Sequence, residues 1–314
     1  MNRYEVLDAH CDTLAEMWKR GDGLERPGYH VNLTAASELA GYGQFFAICP
    51  LPGVDTGYTC EAFYDRCLAY IRGQLDRHRD RMTLVRRGSE LQSVLDGGKI
   101  AAFLALEGAE GIGCDPGRLE EAYAQGIRMI TLTWNADNAL AGCSKRDGPG
   151  LSAQGRDFVR RAQKLGILID VSHISKKSFW DIMDIADAPV VASHSNSYAL
   201  CPHARNLTDD QFRALCETGG FAGINLFTLF LSEDGTAGLD TVRCHMDHFL
   251  QLGGGGHIAL GGDLDGCDLL PRGFRSVADY NSLSSHLEAK GFPAETIQDI
   301  FSNTLKRVVT SCIM

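Results

Sequence analysis

The chain has 314 residues, 44% of them hydrophobic and 22% charged, with a net charge of -10 at pH 7. That composition supports a globular protein with a large core, and the acidic balance argues against a nucleic-acid surface, which needs clustered Lys and Arg. The 11 cysteines are odd in number, scattered and free of any CxxC pair, so they read as reduced, mostly buried thiols and exclude a disulfide framework.

"MNRYEVLDAH" carries no apolar leader, and no stretch approaches the ~20 apolar residues of a membrane span, so a cytoplasmic location without a membrane partner is expected. No low-complexity run or linker divides the sequence, which gives one expected domain over 1–314. Short apolar runs recur at 4–10 (YEVLDAH), 44–50 (QFFAICP), 100–108 (IAAFLALEG) and 127–134 (IRMITLTW). They continue at 167–173 (ILIDVSH), 189–195 (PVVASHS), 221–227 (FAGINLF) and 257–263 (HIALGGD). Near-continuous Val, Ile, Leu, Ala and Phe is the pattern of parallel strands covered on both faces.

The stretches between these runs read as helices. Phe63, Cys67, Ile71 and Leu75 repeat every fourth residue as one apolar stripe. "TDDQFRALCETGG" (208–220) opens on a Thr cap and closes on glycine, and "DTVRCHMDHFLQLGGGG" (240–256) ends in a glycine run. About eight strands alternating with helices predict a (β/α)8 TIM barrel. A doubly wound sheet is the structural alternative.

In a barrel, chemistry sits at the C-terminal ends of strands, and these runs end on reactive residues. The first ends in His10 and Asp12, which strand alternation would aim the same way, with Cys11 opposite. The third ends in Glu107, the fifth in His173, the sixth in His194 and the eighth in Asp263 and Asp265. Three histidines and two carboxylates exceed what one catalytic zinc takes. They suit two Zn2+ ions roughly 3.5–4 Å apart. His10 and Asp12 would hold one ion, His173 and His194 the other, and Glu107 would bridge. A hydroxide between the ions is the expected nucleophile, and Asp263 the group that moves its proton to a leaving amine. Asp170 and Ser172 flank the fifth run as possible supports of the ligands.

In this order the motifs "DAHCDT", "LALEG", "LGILIDVSH", "PVVASHS", "CPHARNL", "GGDLDG" and "NTLKRVV" resemble the renal (membrane) dipeptidase family of zinc peptidases. The resemblance implies an amidohydrolase-like barrel that cleaves dipeptides at a bridged di-zinc centre, with the same ligand set and with Asp263 as the catalytic aspartate. It further implies that Arg205 in "CPHARN" grips the substrate's terminal carboxylate, a task for which the guanidinium fork is shaped. The expected partner is a small dipeptide, and a homodimer stays open.

One departure stands out. Mammalian members of that family carry a histidine after the fourth strand, where this chain has Trp134 in "LTWNADN". In the family that histidine contacts the region of the substrate's reacting carbonyl; here Asn135 or Asn138 could supply the contact, or zinc could polarise the carbonyl alone, with Trp134 as an aromatic wall. The loop "LAGCSKRDGPGLS" (140–152) would open from the same rim, with Lys145, Arg146 and Asp147 selecting side chains. His30, His78, His257 and His286 read as surface or packing residues, His245 and His248 as helix packing, and His203 as a neighbour of Arg205. Two rival readings remain: a related hydrolase of lactones, acylated amino acids or phosphoesters, and a non-catalytic metal-binding descendant.

Overall fold

Parallel pairing organises the chain. The computed structural model describes residues 4–146 and 148–314. Its strands are β1 (Val6–Cys11), β2 (Tyr42–Ile48), β3 (Met82–Leu84), β4 (Ile100–Glu107) and β5 (Ile127–Thr131). They are followed by β6 (Leu168–Asp170), β7 (Val190–Ala192), β8 (Phe221–Ile224) and β9 (Ile258–Leu260). All but β3 close into a ring in the order β2-β1-β9-β8-β7-β6-β5-β4, completed by a β2–β4 pairing. Closure leaves the (β/α)8 barrel and removes the doubly wound alternative, whose edges would be open. β3 is not announced by the apolar pattern: it is three residues long and pairs with Ile100–Ala102, while β5 takes Leu104–Glu107 of the same strand.

The apolar runs are continuous because both strand faces are buried. Every barrel strand sends a side chain inward, among them Leu7, Phe45, Phe103, Met129, Leu168, Val191, Phe221 and Ala259. Alternate residues such as Val6, Phe46, Leu104, Ile130, Ile169 and Ile258 pack outward under the helices. Leu305, Val308, Val309 and Ile313, from and just past the last helix, join the inner cluster and close one end of the barrel. The expected helical stripe lies on Cys60–Arg77, where Phe63, Cys67 and Ile71 are buried. Thr208 caps the helix Asp209–Glu217 through a capping box with Gln211. Every cysteine is a free thiol. Among the described residues no helix is long and apolar enough to cross a membrane.

Several strands stop earlier than the apolar runs suggest. The runs 167–173, 189–195, 221–227 and 257–263 stay extended only over Leu168–Asp170, Val190–Ala192, Phe221–Ile224 and Ile258–Leu260. Beyond those points the chain turns to present side chains at the rim. His173 and Asp263 adopt φ of 64° and 55°, a left-handed conformation that costs a non-glycine residue about 1–2 kcal/mol. The rim is also tight: a Cβ on Gly223 or Gly261 would lie 2.0 or 1.8 Å from the Ser193 carbonyl oxygen, so only glycine fits beside His194.

Phe45 and Phe103 stack inside the barrel with ring centroids 4.6 Å apart. Phe103→Ala is expected to lower unfolding free energy by about 3–5 kcal/mol in chemical denaturation. A loss below about 1 kcal/mol would mean that the ring is not part of a packed interior.

Candidate metal centre and substrate cavity

Glu107, the last residue of β4, stands between two groups of donors. Its Oε1 lies 3.0 Å from His173 Nε2 and 3.4 Å from His194 Nε2. Its Oε2 lies 3.7 Å from His10 Nε2. His10 Nε2 is in turn 3.5 Å from Asp12 Oδ2 and 3.9 Å from Asp263 Oδ1. The fold thus gathers His10, Asp12, Glu107, His173, His194 and Asp263 from five strand ends onto one rim.

His10 reaches the rim by a route that alternation does not describe. Ala9 packs inside the barrel and Cys11 outside, although residues two apart in a regular strand share a face. The register of β1 against β2 slips between Asp8 and Cys11, and this bulge turns His10 into the mouth. Asp12 has already left the strand, as the residue that precedes the helix Thr13–Arg20. The two side chains meet as expected, through a bulge and a turn. Cys11 does point away.

The tautomers suit a metal. His173 Nδ1 lies 3.2 Å from Asn135 Oδ1, which can only accept. His194 Nδ1 lies 2.7 Å from Ser193 Oγ, whose own proton goes to Asp170 Oδ2 at 2.6 Å. Both rings therefore carry their proton on Nδ1 and present the Nε2 lone pair. Those two lone pairs face each other at 3.1 Å, an arrangement that a cation between them makes favourable. Both nitrogens of His10 are buried without a hydrogen-bond partner. The donor set of imidazoles and carboxylates fits zinc or a similar divalent ion.

The electrostatics point the same way. Burial alone would push His10 down, but Glu107, Asp12 and Asp263 outweigh it and hold the ring up to about 10. Burial raises Asp12 to about 7, with Glu107 and Asp263 adding to the rise. Burial pushes His173 down to about 3, helped by Arg205, and lowers His194 as well. Against its own burial, Glu107 is held well below the usual range, above all by His10. Carboxylates that favour positive charge at this point suit a divalent cation among them.

A cavity of about 680 Å³ opens over these residues. Asp12, Glu107, His173 and Asp263 form its floor, and Trp134, Phe227, Leu229 and Phe230 give it apolar walls. Arg205 enters from the side, buried, with Nη2 donating to the His194 carbonyl at 3.2 Å and Nη1 to Ser195 Oγ at 3.4 Å. Its Nε has no partner. Asn135 lines the cavity and also orients His173, whereas Asn138 uses its amide on Leu132, Leu140 and Ala141 within the loop. Lys145 and His203 line the cavity. Arg146 is exposed and does not, and Asp147 lies outside the described residues.

Sequence reasoning passed over Asn225. It follows β8 directly, and its Nδ2 donates to Asp263 Oδ2 at 3.0 Å, fixing that carboxylate. The available signal was an amide inside the apolar run "FAGINLF". Asp265 is structural: it accepts from Thr13 Oγ1 at 2.5 Å and from the His30 and Val31 amides. His245 bonds the Ser197 amide and Leu231 carbonyl, and His248 pairs with Asp209, so neither joins a metal site.

The family profile of Membrane dipeptidase (Peptidase family M19) matches residues 1–312. An uncharacterized protein from the pqqA 5' region of Klebsiella pneumoniae is 34% identical over 253 residues, covering 77% of this chain and 93% of its own length. Among solved structures, the dipeptidase AC, a metallopeptidase of family M19, superposes with a TM-score of 0.90 at 27% identity over 99% of both chains. A metallopeptidase from Rhodobacter sphaeroides, liganded with a phosphinate mimic of the dipeptide L-Ala-D-Ala, gives a TM-score of 0.90 at 27% identity over 99% of this chain and 100% of its own.

An ion held only by the folded state stabilises it, by about 2.7 kcal/mol at one hundred times its dissociation constant. Stripping divalent metal with a chelator should therefore lower the melting temperature, and added zinc should restore it. A melting temperature indifferent to both would mean that the donors hold no ion.

Proposed function

Because this chain belongs to the membrane dipeptidase family and is a metallo-dipeptidase, we propose that it hydrolyses dipeptides at a centre of two zinc ions. His10 and Asp12 would hold one ion, His173 and His194 the other, with Glu107 shared. The observation that carries this reading is the position of Glu107, one oxygen toward His10 and the other toward His173 and His194. When bound, the metal supplies a Lewis acid and an acidified water.

The chain's own residues do the rest. Arg205 binds the substrate's C-terminal carboxylate, for which its unpartnered Nε and planar fork are suited. That anchor lies beside His194, so a peptide bond one residue further in falls over the donor cluster. Asp263, held through Oδ2 by Asn225, keeps Oδ1 toward His10. There it takes a proton from the attacking water and returns it to the leaving amine. Trp134, Phe227 and Phe230 exclude water from the reacting bond. The Trp134 indole gives one donor and no charge, so the contact made by histidine in mammalian relatives passes to the free amide nitrogen of Asn135. The ligand of the Rhodobacter sphaeroides protein supports testing dipeptides with a C-terminal D-residue beside the L,L forms.

Asp263→Asn should keep the metal content and lose about 10²–10⁴-fold in kcat, because an amide cannot accept and return the proton. Near-normal turnover would assign the proton to another group.

For Arg205 the measurement is kcat/KM for a dipeptide and for its C-terminal amide. Wild type should prefer the free acid, and Arg205→Ala should lose about 2–3 kcal/mol of that preference. Arg205→Lys should also be impaired, since an ammonium is a point charge and not a fork. Undiminished discrimination in Arg205→Ala would place the carboxylate elsewhere.

A further inference from the structure

Two aspartates that do not line the cavity are each tied to a pair of site-bearing strand ends. Asp8, on β1, is fully buried. Its Oδ1 accepts the His10 amide at 2.9 Å, and the Gly262 amide lies 3.1 Å from both Oδ1 and Oδ2. Gly262 immediately precedes Asp263. Gln44 Nε2 and the Tyr280 hydroxyl donate to the same carboxyl. Asp170, at the end of β6, is also fully buried. Its Oδ1 accepts the amides of Ser172 at 2.9 Å and Ser193 at 2.8 Å, the residues before His173 and His194.

The two arrangements share one pattern. Each carboxyl bonds the amide two residues ahead of it in the chain and an amide just past the end of the neighbouring strand. β1 lies beside β9, and β6 beside β7. The strand ladders have ended by then: β9 stops at Leu260 and β7 at Ala192. Past the bond from Val171 N to Val191 O at 2.7 Å, side chains and not backbone pairs tie the segments after β6 and β7. Between β1 and the segment after β9 the backbone pairing continues only irregularly, with Asp263 N donating to His10 O at 3.2 Å and Asp12 N to Leu264 O at 2.9 Å, and Asp8 adds a side-chain tie beside it. These segments include His173 and Asp263, whose left-handed backbones persist only where neighbours over-determine them. Burying a carboxyl is costly unless several donors meet it, and here most of those donors belong to the rim.

We propose that Asp8 and Asp170 are positioning residues, each fixing the separation of two site side chains carried by neighbouring strands. Asp8 does so for His10 and Asp263, and Asp170 for His173 and His194. The proposal rests on the two-ion reading of the site. It concerns residues that touch neither ion nor substrate.

The test is Asp8→Ala against Asp8→Asn in the full chain. Asp8 Oδ1 accepts the His10 amide and shares the Gly262 amide with Oδ2, so an Asn with its oxygen in the Oδ1 place can keep a bond to each amide and Ala to neither. Zinc affinity is measured by chelator competition at a temperature where circular dichroism shows all variants folded. Asp8→Ala should weaken one of the two ions by about 10–100-fold, leave the other unchanged, and lower kcat more than it changes KM. Asp8→Asn should recover most of the affinity. Asp170→Ala should weaken the other ion instead. If Asp8→Ala lowers only the melting temperature, with both zinc affinities and kcat as in wild type, the proposal is overturned. Should Asp8→Ala not fold, Asp8→Glu, which moves the carboxyl by one methylene, takes its place. A folded Asp8→Glu with wild-type zinc binding overturns the proposal equally. Zinc affinity is read without substrate, so a wild type that binds two ions yet cleaves no dipeptide refutes the functional reading alone. A wild type that binds no zinc refutes both.

Discussion

The site depends on one buried carboxylate facing imidazoles on both sides. Glu107 sits at the end of β4 with almost no solvent access, a place where an unpaired charge would be costly. Its two oxygens are divided: one faces the Nε2 atoms of His173 and His194, where a shared cation would meet all three, and the other faces His10. Because these partners come from β1 and from the turns after β6 and β7, the carboxylate can be satisfied only if the barrel is closed and in register. Fold and centre are thus one constraint.

The barrel meets that constraint by abandoning regular strand geometry at the rim. A bulge turns His10 inward, left-handed residues present His173 and Asp263, and glycines at 223 and 261 let three chain segments crowd around the Ser193 carbonyl. Side-chain hydrogen bonds then add to the few backbone bonds that continue past the strand ends. Asp170 acts through Ser193 on His194, Asn135 on His173 and Asn225 on Asp263. Such partners set the tautomer and orientation of each donor. The cavity above combines apolar walls with one buried arginine, which suits a small zwitterion more than a polymer.

Much of this was legible in the sequence, because parallel strands buried on both faces read as apolar runs and polar residues at their ends stand out. His10, Glu107, His173, His194 and Asp263 could be named that way. Alternation alone does not account for how His10 and Asp12 meet, since it cannot reveal a bulge. β3 was too short to register as a run. Asn225 and Asp8 were hidden by their settings: an amide or acid within an apolar run looks like any interruption until its partners are known. Arg205 illustrates a different limit. Nothing in "CPHARN" marks it by itself, and only the family resemblance singled it out.

The central claim is that Glu107 joins two ions in one centre. Reconstituting the protein with manganese and recording metal content and electron paramagnetic resonance tests it most directly. The account predicts two ions per chain with an exchange-coupled spectrum that Glu107→Gln abolishes. A single ion per chain, or two ions with uncoupled signals in the wild type, would contradict it.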